Sequence, residues 1–417
     1  MRDLLHPESA ARRALAERVG GTFASWGYDL VTTPAFEHAD VLERGLSALD
    51  RRDLVRFVEP ETGEVALLRP DITPQIARVV ATRLQDRPPP IRLRYQGTVI
   101  RRRRGRARRH RQIAQAGAEC IGVPGAEADV EMIAMAAQAC EAVELPAFRL
   151  ELRQVRIGHA ALSALPEELR EEAAAALARK DRAALSGLLA GRVGQAEQTL
   201  LTELTGLYGD VGVLREAQTL AARHGWLQEA LAELGEVVDR AGAAGLSDRI
   251  GLDLGELRGM SYYTGVSFAV LAAGPGEPVG AGGRYDNLLE RFDAPAAATG
   301  FAVDLDNLEW ALAHAGRPAG ANLPLRVVLR GDTAAATDAA RLLRQEGVCV
   351  ASVPEEADPL AFGVAWGYDC ALDTAPAGLT ARRIRDGAER TIDPRTPDWI
   401  RALGNWASGS DRSRNED

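Results

Sequence analysis

Residues 92–122, RLRYQGTVIRRRRGRARRHRQIAQAGAECIG, decide the fold of this chain. Two runs with apolar character, IRLRYQGTVI (91–100) and IAQAGAECIGV (113–123), flank a polar loop, an order that predicts an antiparallel hairpin. Side chains alternate faces along a strand, so Gln115, Gly117 and Glu119 fall on one side. That spacing puts two polar groups in one pocket, beside apolar Ile113, Ala114 and Cys120. A carboxylate among such neighbours needs a donor, because burying it unpaired is costly. A ligand amine or imidazole N–H would serve, and so would a structural pairing with a nearby arginine. The loop from Arg101 to Arg111 carries eight arginines and His110, and each guanidinium offers a fork of donors suited to phosphate or carboxylate. A solvated basic loop or an RNA contact fits the same charge run, although it lacks the interleaved aromatics that stack bases.

Outward from the hairpin, residues 7–27 place Ala10, Leu15, Val19, Phe23 and Trp26 near a period of 3.6 and predict a helix stopped by Gly27. YDLVTTPAF (28–36) reads as a strand, and FVEPETGEVALLRP (57–70) as two strands joined by a turn at Glu61-Thr62-Gly63. In DITPQIARVVATRL (71–84), Ile76, Val79, Val80 and Leu84 share a helical face. ADVEMIAMAAQACEAV (128–143) predicts another helix, and FRLELRQVRI (148–157) a strand. From about 160 to 245 the chain is rich in Ala, Leu, Glu and Arg with almost no strand pattern, and reads as an inserted helical subdomain. Strands resume at 249–256, 261–272 and 278–282, with a helix expected at 284–292. Tyr262 and Tyr263 are adjacent, so on a strand only one of them could reach a given pocket. AHAGRPAGANLP (313–324) is a small, flexible linker. Beyond it LRVVLR, a helix at 333–346 and VCVASV predict a compact α/β unit, and residues 406–417 a disordered tail.

At 417 residues, 46% hydrophobic and 26% charged, the chain suits two or three cores. No run approaches a membrane span, and the charged N-terminus lacks the apolar core of a secretory signal, so a cytoplasmic address is expected. Cys120, Cys140, Cys349 and Cys370 have no CxxC spacing, which argues against a zinc site or a disulfide framework. A net charge of −9 repels nucleic acid overall, so anion binding must come from a local cluster. Lys180 is the only lysine among 50 lysines and arginines, a sign of biased composition.

Five segments in order, LLRPDITPQIAR (67–78), RYQGTVIR with RQIAQAGAECIG (94–122), RGMSYYTG (258–265), GAGGRYDNLL (280–289) and TGFAVDLDNL (299–308), resemble class II aminoacyl-tRNA synthetases. Among these they are most similar to the histidyl enzyme and its catalytically silent relative, the regulatory subunit of short-form ATP phosphoribosyltransferase. The resemblance spans roughly residues 5–310. It implies an α+β fold: a class II synthetase-like antiparallel sheet flanked by helices over 1–315, with the helical insertion, and a small C-terminal α/β domain at 325–405. It also implies a histidine pocket. Asp71 would take the α-amino group, with Thr73 and Gln115 alongside, while Glu119 and one of Tyr262 and Tyr263 would meet the imidazole. Arg258 would take the carboxylate, and Arg101 and Arg111 would be the anion-binding arginines.

The departures choose between the two relatives. Where the synthetase places a Glu-Arg pair on the ATP γ-phosphate, this chain has Asp306-Asn307, and Asp304 replaces a glycine that admits the nucleotide. Ser261 stands where the synthetase has an acid. Adenylation needs cations where negative charge sits, so acids there remove stabilisation. The resemblance therefore implies a non-catalytic, allosteric regulatory subunit for the first step of histidine biosynthesis. It would need no cofactor or metal, and would partner a short-form catalytic ATP phosphoribosyltransferase subunit as a homodimer within a hetero-oligomer. It would bind histidine as feedback inhibitor and, lacking a basic stripe in 325–400, would not bind tRNA. The alternatives are an active histidyl-tRNA synthetase and a free pseudo-synthetase that binds amino acids or RNA.

Overall fold

A computed structural model describes residues 3–46, 54–101, 112–221, 224–257, 260–318, 323–375 and 378–409. The chain divides into two compact units, Leu15–Ala319 and Asp3–Ala14 with Gly320–Asp417. No described helix is long and apolar enough to cross a membrane.

In the larger unit the strands are β1 (Asp29–Leu30), β2 (Phe36–His38), β3 (Val55–Val58), β4 (Val65–Leu68), β5 (Ile91–Ile100), β6 (Gln112–Ile121), β7 (Arg149–Gln154), β8 (Tyr208–Gly209), β9 (Ile250–Asp253), β10 (Val266–Leu271), β11 (Gly280–Arg284) and β12 (Ala298–Asp304). Nine of them form one sheet in the order β1-β5-β6-β12-β11-β10-β7-β9-β8, and β2, β4 and β3 form a small second sheet. The predicted hairpin is present: β5 and β6 pair antiparallel, with Leu93 opposite Glu119 and Gly97 opposite Gln115. The large sheet is antiparallel except for β1 with β5 and β7 with β9.

A parallel pair cannot be closed by a tight turn and needs a long crossover. For β7 and β9 that crossover is the helical insertion, running from helix Val155–Ser163 to helix Gly225–Ala241. Its leucines, among them Leu177, Leu201 and Leu234, join Leu150, Leu152 and Ile250 of the sheet in one continuous apolar core. Each such leucine, taken fully out of water, contributes roughly 1.5–3 kcal/mol. The insertion also supplies β8, which pairs antiparallel with the edge of β9.

Three local expectations need correction. YDLVTTPAF forms two short strands, β1 and β2, instead of one. The carbonyls of Thr33 and Pro34 accept from the guanidinium of buried Arg69, at 2.9 and 3.2 Å, and so are not left for a ladder. The helix expected at 284–292 is reduced to a 3₁₀ turn, Leu289–Phe292. The amides of Tyr285 and Asp286 donate outward, to Ala298 O and Thr264 Oγ1, so the chain is tied down before a helix can begin. The strand expected from 261 begins only at Val266, and Ser261–Tyr262 form a turn.

The smaller unit holds β13 (Arg326–Arg330), β14 (Cys349–Val353), β15 (Cys370–Ala375), β16 (Gly378–Arg383) and β17 (Glu389–Ile392), ordered β14-β13-β15-β16-β17. Helices Ala334–Gln345 and Trp399–Ser408 cover its core of Val327, Leu329, Leu343, Leu372 and Leu403. The last helix continues to Ser408 because Trp399, Leu403 and Ala407 bury one face, and Gly409, at φ 77°, ends it. The segment expected as a tail from 406 is thus helical in its first three residues, and 410–417 lie outside the described residues.

Candidate functional site

A cavity of about 180 Å³ opens where β6 and β12 meet the start of helix Thr73–Arg83 and the turn before β10. It is small beside the roughly 300–1,000 Å³ of sites that enclose drug-sized ligands, and its scale suits one amino acid.

Glu119 is at its base, 1% exposed. It accepts from Thr73 Oγ1 at 2.7 Å, from Tyr95 OH at 3.2 Å and from the Tyr285 hydroxyl. Gly300 lies opposite it on β12, and a Cβ there would come within 1.6 Å of Glu119 Oε2. Only glycine leaves room for this carboxyl. Burial pushes the Glu119 pKa up to about 8, with the Asp71 carboxylate nearby adding to it, although the hydroxyls of Thr73, Tyr285 and Tyr95 pull the other way. Burial also holds the Tyr95, Tyr262 and Tyr285 phenols well above their ordinary range, so they remain donors.

Asp71, buried just before the helix, accepts from Tyr262 OH at 2.7 Å and from the Thr73 amide at 3.3 Å. Gln115 lines the cavity with a buried Oε1 that accepts no hydrogen bond among the described residues. The phenolic protons of Tyr95, Tyr262 and Tyr285 are thus directed at Glu119 and Asp71, which with Gln115 Oε1 make a set of acceptors beside Arg101, the single cation among the described lining residues. Such a set receives ammonium and N–H groups.

Of the sequence-predicted residues, Asp71, Thr73, Gln115, Glu119, Tyr262, Tyr263 and Arg101 all line this cavity. The expectation that only one tyrosine could reach it is corrected: both do, because they sit in or beside a turn and the strict alternation of a strand does not apply. Their rings meet edge to face at 5.3 Å. Arg101 Nε donates to Pro70 O at 2.7 Å, and Arg101 is the one cation among the described lining residues. Arg258 and Arg111, with the rest of the arginine loop beyond Arg101, lie outside the described residues. The sequence reading missed Tyr95 and Tyr285. Tyr285 lies two residues after the Gly282-Gly283 pair, yet nothing local ties either phenol to Glu119.

Glu277, Asp304 and Asn307 also line the cavity. Asp304 caps helix Leu305–His314, accepting from the Asn307 amide at 3.0 Å. Asn307 is 2% exposed and donates through Nδ2 to Pro278 O at 2.7 Å. Asp306 Oδ2 accepts from the Ala114 amide at 3.2 Å, which fastens this helix to β6. The positions where a synthetase would grip phosphate thus make structural contacts here.

This sheet, with an acceptor-lined amino-acid-sized cavity on it, defines a class II synthetase-like protein, and the family model for histidyl-tRNA synthetase matches residues 1–308. A curated relative from Anaeromyxobacter dehalogenans, named ATP phosphoribosyltransferase regulatory subunit, is 44% identical over 340 residues, 81% of this chain and 97% of its own. One of the same name from Syntrophotalea carbinolica is 35% identical over 404 residues, 94% of each chain. A crystal structure from Bacillus halodurans, described as an ATP phosphoribosyltransferase regulatory subunit/histidyl-tRNA synthetase, superposes with TM-score 0.77 at 29% identity, covering 89% of this chain and 95% of that one. The chain belongs to the family of ATP phosphoribosyltransferase regulatory subunits.

Proposed function

We propose that this chain assembles with a catalytic, short-form ATP phosphoribosyltransferase subunit, and that its cavity takes free histidine as the signal of pathway output. The relatives' names support the regulatory role. The observation that carries the ligand reading is the acceptor set itself: Asp71, Glu119 and the orphan Gln115 Oε1 converge on a space the size of one amino acid. Asp71 suits an α-ammonium, Glu119 an imidazole N–H, and Arg258 the carboxylate. Glu119 accepts most strongly when ionised, so histidine affinity rises with pH as this carboxyl titrates toward 8. Histidine can inhibit only by favouring the less active state of the complex, which is a statement of linkage. The assembly is a homodimer of this chain within a larger cytoplasmic hetero-oligomer.

Calorimetry with histidine on the full chain, followed by co-purification with the catalytic subunit and its assay with and without histidine, tests both halves. Glu119→Ala abolishes histidine binding and leaves assembly intact; unchanged affinity refutes the pocket. The family's synthetase members supply a second reading, favoured by Arg101 in the cavity. Histidine-dependent ATP–pyrophosphate exchange by the purified chain would establish it in place of the first.

A further inference from the structure

Residues 260–266 form a thin wall between the cavity and a second cleft, and residues 253–257, earlier in the chain, run along the helical insertion. Met260, Tyr262 and Tyr263 line the 180 Å³ cavity, whereas Thr264, Gly265 and Val266 line a cleft of about 420 Å³ behind it. Tyr285 and Arg284 divide between the two spaces in the same way. The cleft's other side is helix Gly225–Ala241 of the insertion, through Glu233, Glu236 and Val237. A segment with open space on both sides can shift, where a close-packed core resists.

The insertion grips residues 253–257, which precede this wall in the chain, at four points. Lys180, held at φ 57°, pairs with Asp253, whose side chain is 9% exposed. The Leu254 amide donates to Leu207 O at 3.0 Å. Gly255 runs so close to the insertion that a Cβ there would meet Leu204 O at 2.5 Å. Leu257 packs over Gly158, where a Cβ would lie 2.4 Å from Leu257 Cδ2. At the far side of the cleft, Glu233 accepts from Gln154 Nε2 at 2.9 Å and pairs with Arg156, so the insertion is tied to β7 as well.

The wall also carries the group a ligand would disturb first. Tyr262 donates its proton to Asp71 Oδ2, the oxygen an incoming ammonium would claim. Taking that acceptor changes what the phenol is bonded to, and the phenol lies five residues along the chain from Leu257, which packs on Gly158 of the insertion. We propose that the helical insertion reads the occupancy of the cavity through residues 253–257 and 260–266, so that filling the cavity and repositioning the insertion are one coupled event. This inference rests on the reading of the cavity as an amino-acid site. By reciprocity, whatever binds the insertion changes the affinity of the cavity.

Hydrogen exchange of the full chain with and without histidine, together with calorimetry on Lys180→Met, tests the coupling. In the wild type, histidine slows amide exchange severalfold both around Asp71 and Glu119 and in the insertion at 195–221 and 225–241. Lys180→Met binds histidine roughly three- to tenfold more weakly, and Lys180→Arg restores most of the affinity. Protection confined to the cavity, or Lys180→Met affinity within twofold of wild type, overturns the coupling. Should Lys180→Met fail to fold, the wild-type exchange pattern decides. Absence of both heat and protection with histidine instead refutes the amino-acid reading on which the coupling rests.

Discussion

Replacing Glu119 by Gln should flatten the pH dependence of stability between about pH 5 and pH 8. The carboxyl is 1% exposed, and burial raises its pKa from 4.5 to about 8. A folded-state pKa above the unfolded one means that the native protein holds the proton more tightly. Its contribution is therefore complete below about pH 4.5 and is lost as pH rises through about 8. At 1.36 kcal/mol per pH unit, the gap corresponds to a loss of roughly 5 kcal/mol across that window, an upper bound because native-state relaxation softens it. Gln keeps the shape and an acceptor oxygen for Thr73 and Tyr95 but has no proton to lose. Urea midpoints from pH 5 to pH 8.5, without ligand, check the expectation through the difference between wild type and Glu119→Gln, since all other titrating groups cancel. The wild type should lose stability relative to the variant by at least 2 kcal/mol over the series, a conservative share of the roughly 5 kcal/mol bound. Parallel curves would show that Glu119 is already ionised in the native cavity, and the reasoning from burial would fail.

Two further substitutions probe the framework around the cavity. Gly300→Ala drives a methyl to within 1.6 Å of Glu119 Oε2; it should lower the unfolding free energy by an overpacking cost of roughly 1–3 kcal/mol and weaken histidine binding at least tenfold, and wild-type affinity would contradict it. Arg284→Met strips the cation from Asp129, whose side chain is 7% exposed and pairs with Arg284 at 2.9 Å; a loss of roughly 3–5 kcal/mol in urea unfolding is expected, and a loss below 1 kcal/mol would mean the pair is not needed.

Much of this architecture is legible locally. The hairpin 91–123, the helix ending at Ser25, the helical insertion and the strand–helix–strand start of the smaller unit follow from patterns a few residues long. The common face of Gln115 and Glu119 is legible for the same reason, because alternation along a strand needs no distant partner. Where local reading failed, a distant group had claimed the backbone: Arg69 took the carbonyls of Thr33 and Pro34, and Thr264 and Ala298 took the hydrogen bonds of Tyr285 and Asp286.

The sequence by itself determined most of the elements, the two polar groups on β6 and the acids at 304 and 306. Only the tertiary structure decided what those groups meet. Tyr285 reaches Glu119 from 166 residues away, and Tyr262 reaches Asp71 from 191. It also decided that both tyrosines face one cavity, that Gly300 makes room for the carboxyl, and that Lys180 of the insertion pairs with Asp253. Secondary structure is set by hydrogen bonds and periodicity within one stretch of chain, whereas the acidity and reach of a buried carboxyl depend on burial and neighbours that only the register of separate strands brings together.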